Sequence, residues 1–174
     1  MFKKIIVAID TSATSTYALD EAVTLAEATQ ATLMLLHVLT RFTDGYPDLV
    51  VPAQSRMMAG MNQMEAIGIY TERWQEFEQQ GLEMLKQLTE TLTARGIATE
   101  FTQSFGDPGR AICDLAATWE ADLIMMGRRG YKGLKEMFMG SVSNYVVHHA
   151  PCSVLTVYKP GGDADDLEGD EAVS

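Results

Sequence analysis

Five stretches of the chain are rich in β-branched and aliphatic residues: KKIIVAI (3–9), ATLMLLHVL (31–39), ATEFTQS (98–104), DLIMMG (122–127) and CSVLTVY (152–158). Near-continuous hydrophobicity of this kind marks strands covered on both faces of a parallel sheet. Between the stretches the period changes to three and four. From Thr14 to Thr29, Ala18, Ala22, Leu25 and Ala26 share a helical face behind candidate caps at Ser12, Thr14 and Ser15. From Tyr70 to Arg95, Tyr70, Trp74, Phe77, Gly81, Met84, Leu85, Leu88 and Leu92 recur at helical spacing, and Arg95-Gly96 supplies a basic last turn and a left-handed stop. GDPGRAICDLAATW opens a third helix with Asp107 as cap and Pro108 at the first helical position. SVSNYVVHHA forms a fourth, which halts at Pro151.

Strands alternating with helices imply right-handed crossovers, so the fold class is α/β. The expected architecture is a single doubly wound five-stranded parallel sheet, order 3-2-1-4-5, with helices on both faces, over residues 1–160. Residues 40–68 break the rhythm, because two to six residues are usual between a strand and a helix. Met57, Met58, Met61 and Met64 fall there. The stretch reads either as an N-terminal extension of the second helix or as a mobile flap, an adaptable surface for an unidentified protein partner.

The net charge of −11 is unevenly placed: residues 161–174, GGDADDLEGDEAVS, hold six acids and no base. That segment reads as an acidic disordered tail. The remaining body is still acidic, which argues against nonspecific nucleic-acid or anionic-membrane binding. No apolar run approaches the ~20 residues that cross a bilayer, and MFKKIIVAID reads as a first strand rather than a signal peptide. Cys113 and Cys152 are too few for a disulfide framework and read as small core residues, so a cytoplasmic protein is expected.

The chemistry concentrates where an open parallel sheet binds its ligands, beyond the carboxyl ends of the strands at the point where strand order reverses. In the order 3-2-1-4-5 that point lies between the first and fourth strands. Asp10, Thr11 and Ser12 end the first, and GRRGYKGLKEMFMGS (127–141) follows the fourth. Gly127 and Gly130 let backbone amides approach a phosphate, and Gly140-Ser141 opens a helix whose unpaired N–H groups favour an anion. Arg128, Arg129, Lys132 and Lys135 add positive charge. The lysine of a Walker loop is missing between Gly140 and Ser141, so phosphate would be held mainly by backbone.

The pattern G-x-x-G, nine residues, G-[ST] resembles the nucleotide-binding signature of the universal stress protein family. IIVAIDTS, LLHV, GDPGRAI, DLIMMGRRG, the spaced GS and APCSVLTV carry the resemblance across residues 2–158. It implies a homodimer that binds ATP or AMP, with any Mg²⁺ arriving on the nucleotide, and a regulatory role in the stress response. Carried onto this sequence, it implies that Asp10 meets ribose or adenine and that Ala8, Ile9 and Val38 line the adenine. Met126, Gly127, Arg129 and Gly130 would hold the ribose and phosphate side, with Gly140, Ser141, Val142 and Ser143 closing on the phosphates. The 40–68 insertion and the acidic tail depart from the family pattern.

Two other functions use the same pocket: a slow ATPase or phosphotransferase, and a cyclic di-AMP receptor. Beyond Asp10 no base presents itself for hydrolysis, so a binding protein is the first expectation. His37 reads as a packed core histidine. His148 and His149, adjacent and therefore divergent, suit the negative end of a helix better than a metal. The last stretch, 152–158, is an edge strand in the expected order, and edge strands need cover; self-pairing about a two-fold axis supplies it.

Overall fold

In the computed structural model, residues 1–41, 43, 45–47, 63–128 and 140–158 are described, with backbone alone for 63–66. The elements are β1 (Lys4–Ile9), α1 (Ala13–Thr29), β2 (Thr32–Leu39), α2 (Gln63–Ala94), β3 (Thr99–Phe105), α3 (Pro108–Thr118), β4 (Leu123–Gly127), α4 (Ser141–His149) and β5 (Ser153–Val157). They form one sheet of order β3-β2-β1-β4-β5. All four pairings are parallel, with Ile5 beside both Leu33 and Leu123. The expected topology is the observed one.

Alternation along the central strands builds a core on each face. Ile5, Val7, Leu33, Leu35, Leu123 and Met125 pack with Ala18, Ala22, Leu85 and Leu92 of α1 and α2. Ile6, Met34, Leu36, Ile124 and Met126 pack with Ile112, Ala116 and Val146 of α3 and α4. Because both faces are covered, the strands read as apolar runs rather than as alternating ones. Cys113 lies in the second core and Cys152 packs against it, as small apolar residues would, and burial pushes both thiols above their ordinary range.

His37 is buried too, but it has a polar partner. Its Nδ1 lies 3.1 Å from Gln103 Oε1, and Gln103 Nε2 donates to the Glu78 carbonyl at 3.0 Å. Gly81 makes room for this link: a Cβ there would stand 2.1 Å from Gln103 Oε1 and 2.8 Å from His37 Nδ1. Trp74 belongs to an aromatic group with Tyr46, Tyr70, Phe77 and Phe105, its ring 4.7 Å from that of Phe105.

Two details differ from the sequence reading. α2 begins at Gln63, so residues 63–68 are its first turns and the extension reading holds for that part. Met57, Met58 and Met61, with most of the remaining insertion, lie outside the described residues. At its other end α2 stops at Ala94, one residue short of Arg95, which instead pairs with Glu27 of α1 at 2.7 Å. Gly96 does take the left-handed conformation, at φ +84°.

At the amino end of the sheet, a carboxylate of the chain meets open backbone. Asp122 accepts from Lys3 N–H at 2.7 Å and Lys4 N–H at 2.9 Å, and these bonds hold its carboxyl below the usual range.

Candidate functional site

At the carboxyl end of β1 the chain makes a compact polar turn. Asp10 Oδ1 accepts from the backbone N–H of Ser12 at 2.8 Å and from its hydroxyl. Ser12 then caps α1, its Oγ accepting from Ser15 N–H at 3.1 Å. Asp10 is therefore not the cap; it orients the residue that is. Ser15, 4% exposed, accepts from Asp10 N–H at 2.9 Å through its hydroxyl oxygen and points that hydroxyl at the Ala8 carbonyl, 3.4 Å away. From the sequence Ser15 reads only as a cap; its tie back to β1 is a contact five to seven residues distant that local pattern does not encode.

The end of β4 and the start of α4 are tied together. Arg128 N–H donates to the Val157 carbonyl at 2.9 Å, extending the β4–β5 ladder. Its own carbonyl accepts from Gly140 N–H at 3.0 Å, and the Ser143 hydroxyl lies 3.0 Å from the carbonyls of both Arg128 and Gly140. The base of the glycine-rich segment is thus closed by Arg128, Gly140 and Ser143. Ser143, 2% exposed, commits its side chain to that closure. Gly140 is the N-cap of α4, at φ −56° and ψ 155°, and no side chain among the described residues caps this helix. The first N–H groups of an α-helix have no partner within it, so an uncapped start is open to an anion.

The other candidates are placed as follows. Ala8, Val38 and Val142 are partly buried and pack against the second core, to which Met126 belongs, so they share the face of the sheet from which α4 starts. Pairing of Ile9 with His37 sets Asp10 and Val38 one step further along their strands. Ile9 points its side chain into the other core. Ser141 is exposed. Arg129 and Gly130 lie outside the described residues.

Gly127 has a structural reason of its own. A Cβ there would meet Thr14 Cγ2 at 2.7 Å and the Thr14 backbone carbon at 3.3 Å. The first turn of α1 leans on the end of β4, and only glycine leaves the room. Arg128, which reads from the sequence as one of several loop cations, has a defined place: its guanidinium lies over the Tyr158 ring at 4.7 Å, within cation–π range. Its Nε is buried and has no hydrogen-bond partner among the described residues.

The universal stress protein family model matches residues 1–158 of this sequence. The chain belongs to that family. Universal stress protein Sll1388 of Synechocystis is 36% identical over 157 residues, which are 90% of this chain and 97% of that protein. Among solved structures, universal stress protein UspA from Lactobacillus plantarum superposes with a TM-score of 0.68 at 24% identity, over 90% of this chain and 98% of that one. A universal stress protein family protein from Arabidopsis thaliana, solved with AMP bound, superposes with a TM-score of 0.60 at 20% identity, covering 99% of each chain. At these identities the structures bear on fold, and the family membership rests on sequence.

Proposed function

We propose that this universal stress protein binds an adenine nucleotide, ATP or AMP, between β1 and β4, and acts as a regulatory binding protein of the stress response rather than as an enzyme. The observation that carries the reading is the uncapped start of α4, held against the end of β4 by Arg128 and Ser143. An anion placed there meets backbone N–H groups and the positive end of the helix dipole. Gly140, Ser141 and Val142 hold the phosphates, with Ser143 fixing their geometry; Gly127, Arg129 and Gly130 complete the phosphate side. Ala8, Val38 and Met126 line the base with the backbone of Ile9, and Asp10 meets the ribose or adenine. The AMP-bound Arabidopsis structure of the same fold supports an adenine ligand. We place the protein in the cytoplasm; among the described residues no helix is long and apolar enough to cross a membrane.

Mass spectrometry of the small molecule that co-purifies with the protein tests the ligand class. Calorimetry with ATP, AMP and adenosine, followed by an assay of turnover, tests the rest. Binding of ATP and AMP without hydrolysis is expected, and Asp10→Ala lowers both affinities by a similar factor. Absence of binding to all three ligands overturns the reading, and steady turnover favours the ATPase.

The same reading includes a homodimer through β5. Among the described residues that strand pairs with β4 alone, and Leu155 beside the edge is 43% exposed. Because the Val157 carbonyl receives Arg128 N–H, Val157 and Leu155 turn their backbone groups inward and Thr156 turns its N–H outward. Thr156→Pro therefore removes an edge donor while sparing the internal ladder, whereas Leu155→Pro removes a donor of the internal ladder. Sedimentation at micromolar concentration should show a dimer for the parent and a monomer for Thr156→Pro. A monomeric parent sinks this part.

A further inference from the structure

We infer that Ser12 and Ser15 are positioning residues for Asp10, fixing its carboxylate so that one oxygen is left to accept from a ribose hydroxyl of the bound nucleotide. The inference rests on the nucleotide reading above and names what selects its sugar. Two hydroxyls at the end of β1 are each given a direction by a neighbour that can only donate. Asp10 N–H donates to Ser15 Oγ at 2.9 Å, so the Ser15 hydroxyl must place its proton elsewhere, and the Ala8 carbonyl lies 3.4 Å away. Ser15 N–H donates to Ser12 Oγ at 3.1 Å, and the Ser12 hydroxyl donates in turn to Asp10 Oδ1. Ser12 N–H reaches the same oxygen at 2.8 Å. Ser15 thus holds the backbone of Asp10, and Ser12 holds one carboxylate oxygen. Ser15 is 4% exposed, so its bonds are sheltered from water.

What remains is Oδ2. Among the described residues it accepts no hydrogen bond, and Asp10 is only partly buried. A carboxylate oxygen takes a hydroxyl or amino donor and repels a phosphate, so it suits the nucleoside part of the ligand. The sheet order chooses which part. β1 lies between β2 and β4. In the nucleotide reading Val38, near the end of β2, lies against the base, and the phosphates sit beyond β4 at Gly140. The ribose joins the two, so it passes over the end of β1, where Asp10 stands one residue beyond Ile9. Were the carboxylate free to turn, binding would have to freeze its rotation; the two serines do so in advance.

Calorimetry with AMP, 2′-deoxy-AMP and 3′-deoxy-AMP tests this on the parent, Asp10→Ala, Ser15→Ala, Ser12→Thr and the double variant Asp10→Ala/Ser15→Ala. The parent should bind AMP about tenfold or more tighter than the analogue lacking the recognised hydroxyl, as loss of a hydrogen bond to a charged group implies. Ser15→Ala should shrink that ratio by about threefold or more, weakening AMP and leaving the analogue unchanged. Ser12→Thr keeps the hydroxyl and should keep the ratio. Ser12→Gly removes it while leaving an acceptable helix start, and reads the same loss should Ser15→Ala fail to fold. In the Asp10→Ala background Ser15→Ala should change nothing further, because a positioning residue acts through the group it positions. Equal affinities of the parent for AMP and both analogues overturn the inference and leave the nucleotide reading standing. A Ser15→Ala variant that weakens all three ligands alike, or adds its loss to that of Asp10→Ala, also overturns it, since Ser15 then serves the fold alone. A parent that binds none of the three overturns the nucleotide reading and the inference with it.

Discussion

α3 and α4 start at the same end of the sheet, follow neighbouring stretches of core, and treat their free N–H groups in opposite ways. α3 closes its own: Asp107 accepts from Arg110 N–H at 2.9 Å and Pro108 removes one donor at the first turn. α1 does likewise through Ser12. α4 begins at a glycine, and among the described residues no side chain caps it. The open start is the one that the nucleotide reading uses, so the three helix starts can be compared directly.

Converting one start into the other gives the largest expected effect. Gly140→Asp supplies α4 with the cap that α3 has, and places a carboxylate where the phosphates would sit. Affinity for ATP should fall by about a hundredfold or more, since two anions then compete for the same donors. Stability should hold or rise by about a few tenths of a kcal/mol, because glycine is already an acceptable cap. Calorimetry and thermal melting on the one variant read both. Loss of binding together with a collapsed melting temperature would mean that the opening is structural.

The reverse exchange is smaller. Asp107→Ala should cost about 1 kcal/mol of stability, as removal of a helix cap does, and leave ATP affinity unchanged. Denaturant unfolding measures the first and calorimetry the second. A large drop in ATP affinity would show that the two helix starts are not independent, contrary to their separate hydrogen bonds.

How much of this contrast is visible in the sequence depends on whether a contact is local. Asp107-Pro108 announces its cap because the cap and the N–H lie three residues apart, and the apolar runs of the central strands announce the sheet because β1, β2 and β4 are covered on both faces. The order of the strands is the common one for a five-stranded sheet of this kind, the crossover rule fixing only the hand of each connection. Gly140-Ser141 is visible as a glycine at a helix start. By contrast, Gly127 reads as a phosphate glycine, while its clash partner Thr14 is more than a hundred residues away in sequence. Gly81 counts as one more apolar position on α2, yet it exists for the His37–Gln103 link. Ser143 looks like a second ligand hydroxyl until its bonds to the Arg128 and Gly140 carbonyls appear. In each case the deciding atom comes from another element, and periodicity carries no record of it.

The smallest effect extends the comparison to the opposite end of the sheet, where Asp122 does for the strand entering β1 what Asp107 does for α3. Its oxygen takes the N–H groups of Lys3 and Lys4, which stabilises the charged form and holds the carboxyl below its ordinary value. A depressed folded-state value means that the contribution is fully present above the unfolded value of about 3.9 and is lost as pH falls through the folded one. Acid should therefore weaken the parent below roughly pH 4, in part through this group. Asp122→Asn keeps the acceptor oxygen but removes the charge, so it should be less stable than the parent at neutral pH and lose less on acidification. The carboxylate is exposed, so the gap is small and narrows with salt. Urea unfolding at about pH 7 and about pH 3.5 measures it: the gap between the two proteins should be smaller at the second pH than at the first. Parallel curves at both would show that Asp122 contributes shape rather than charge.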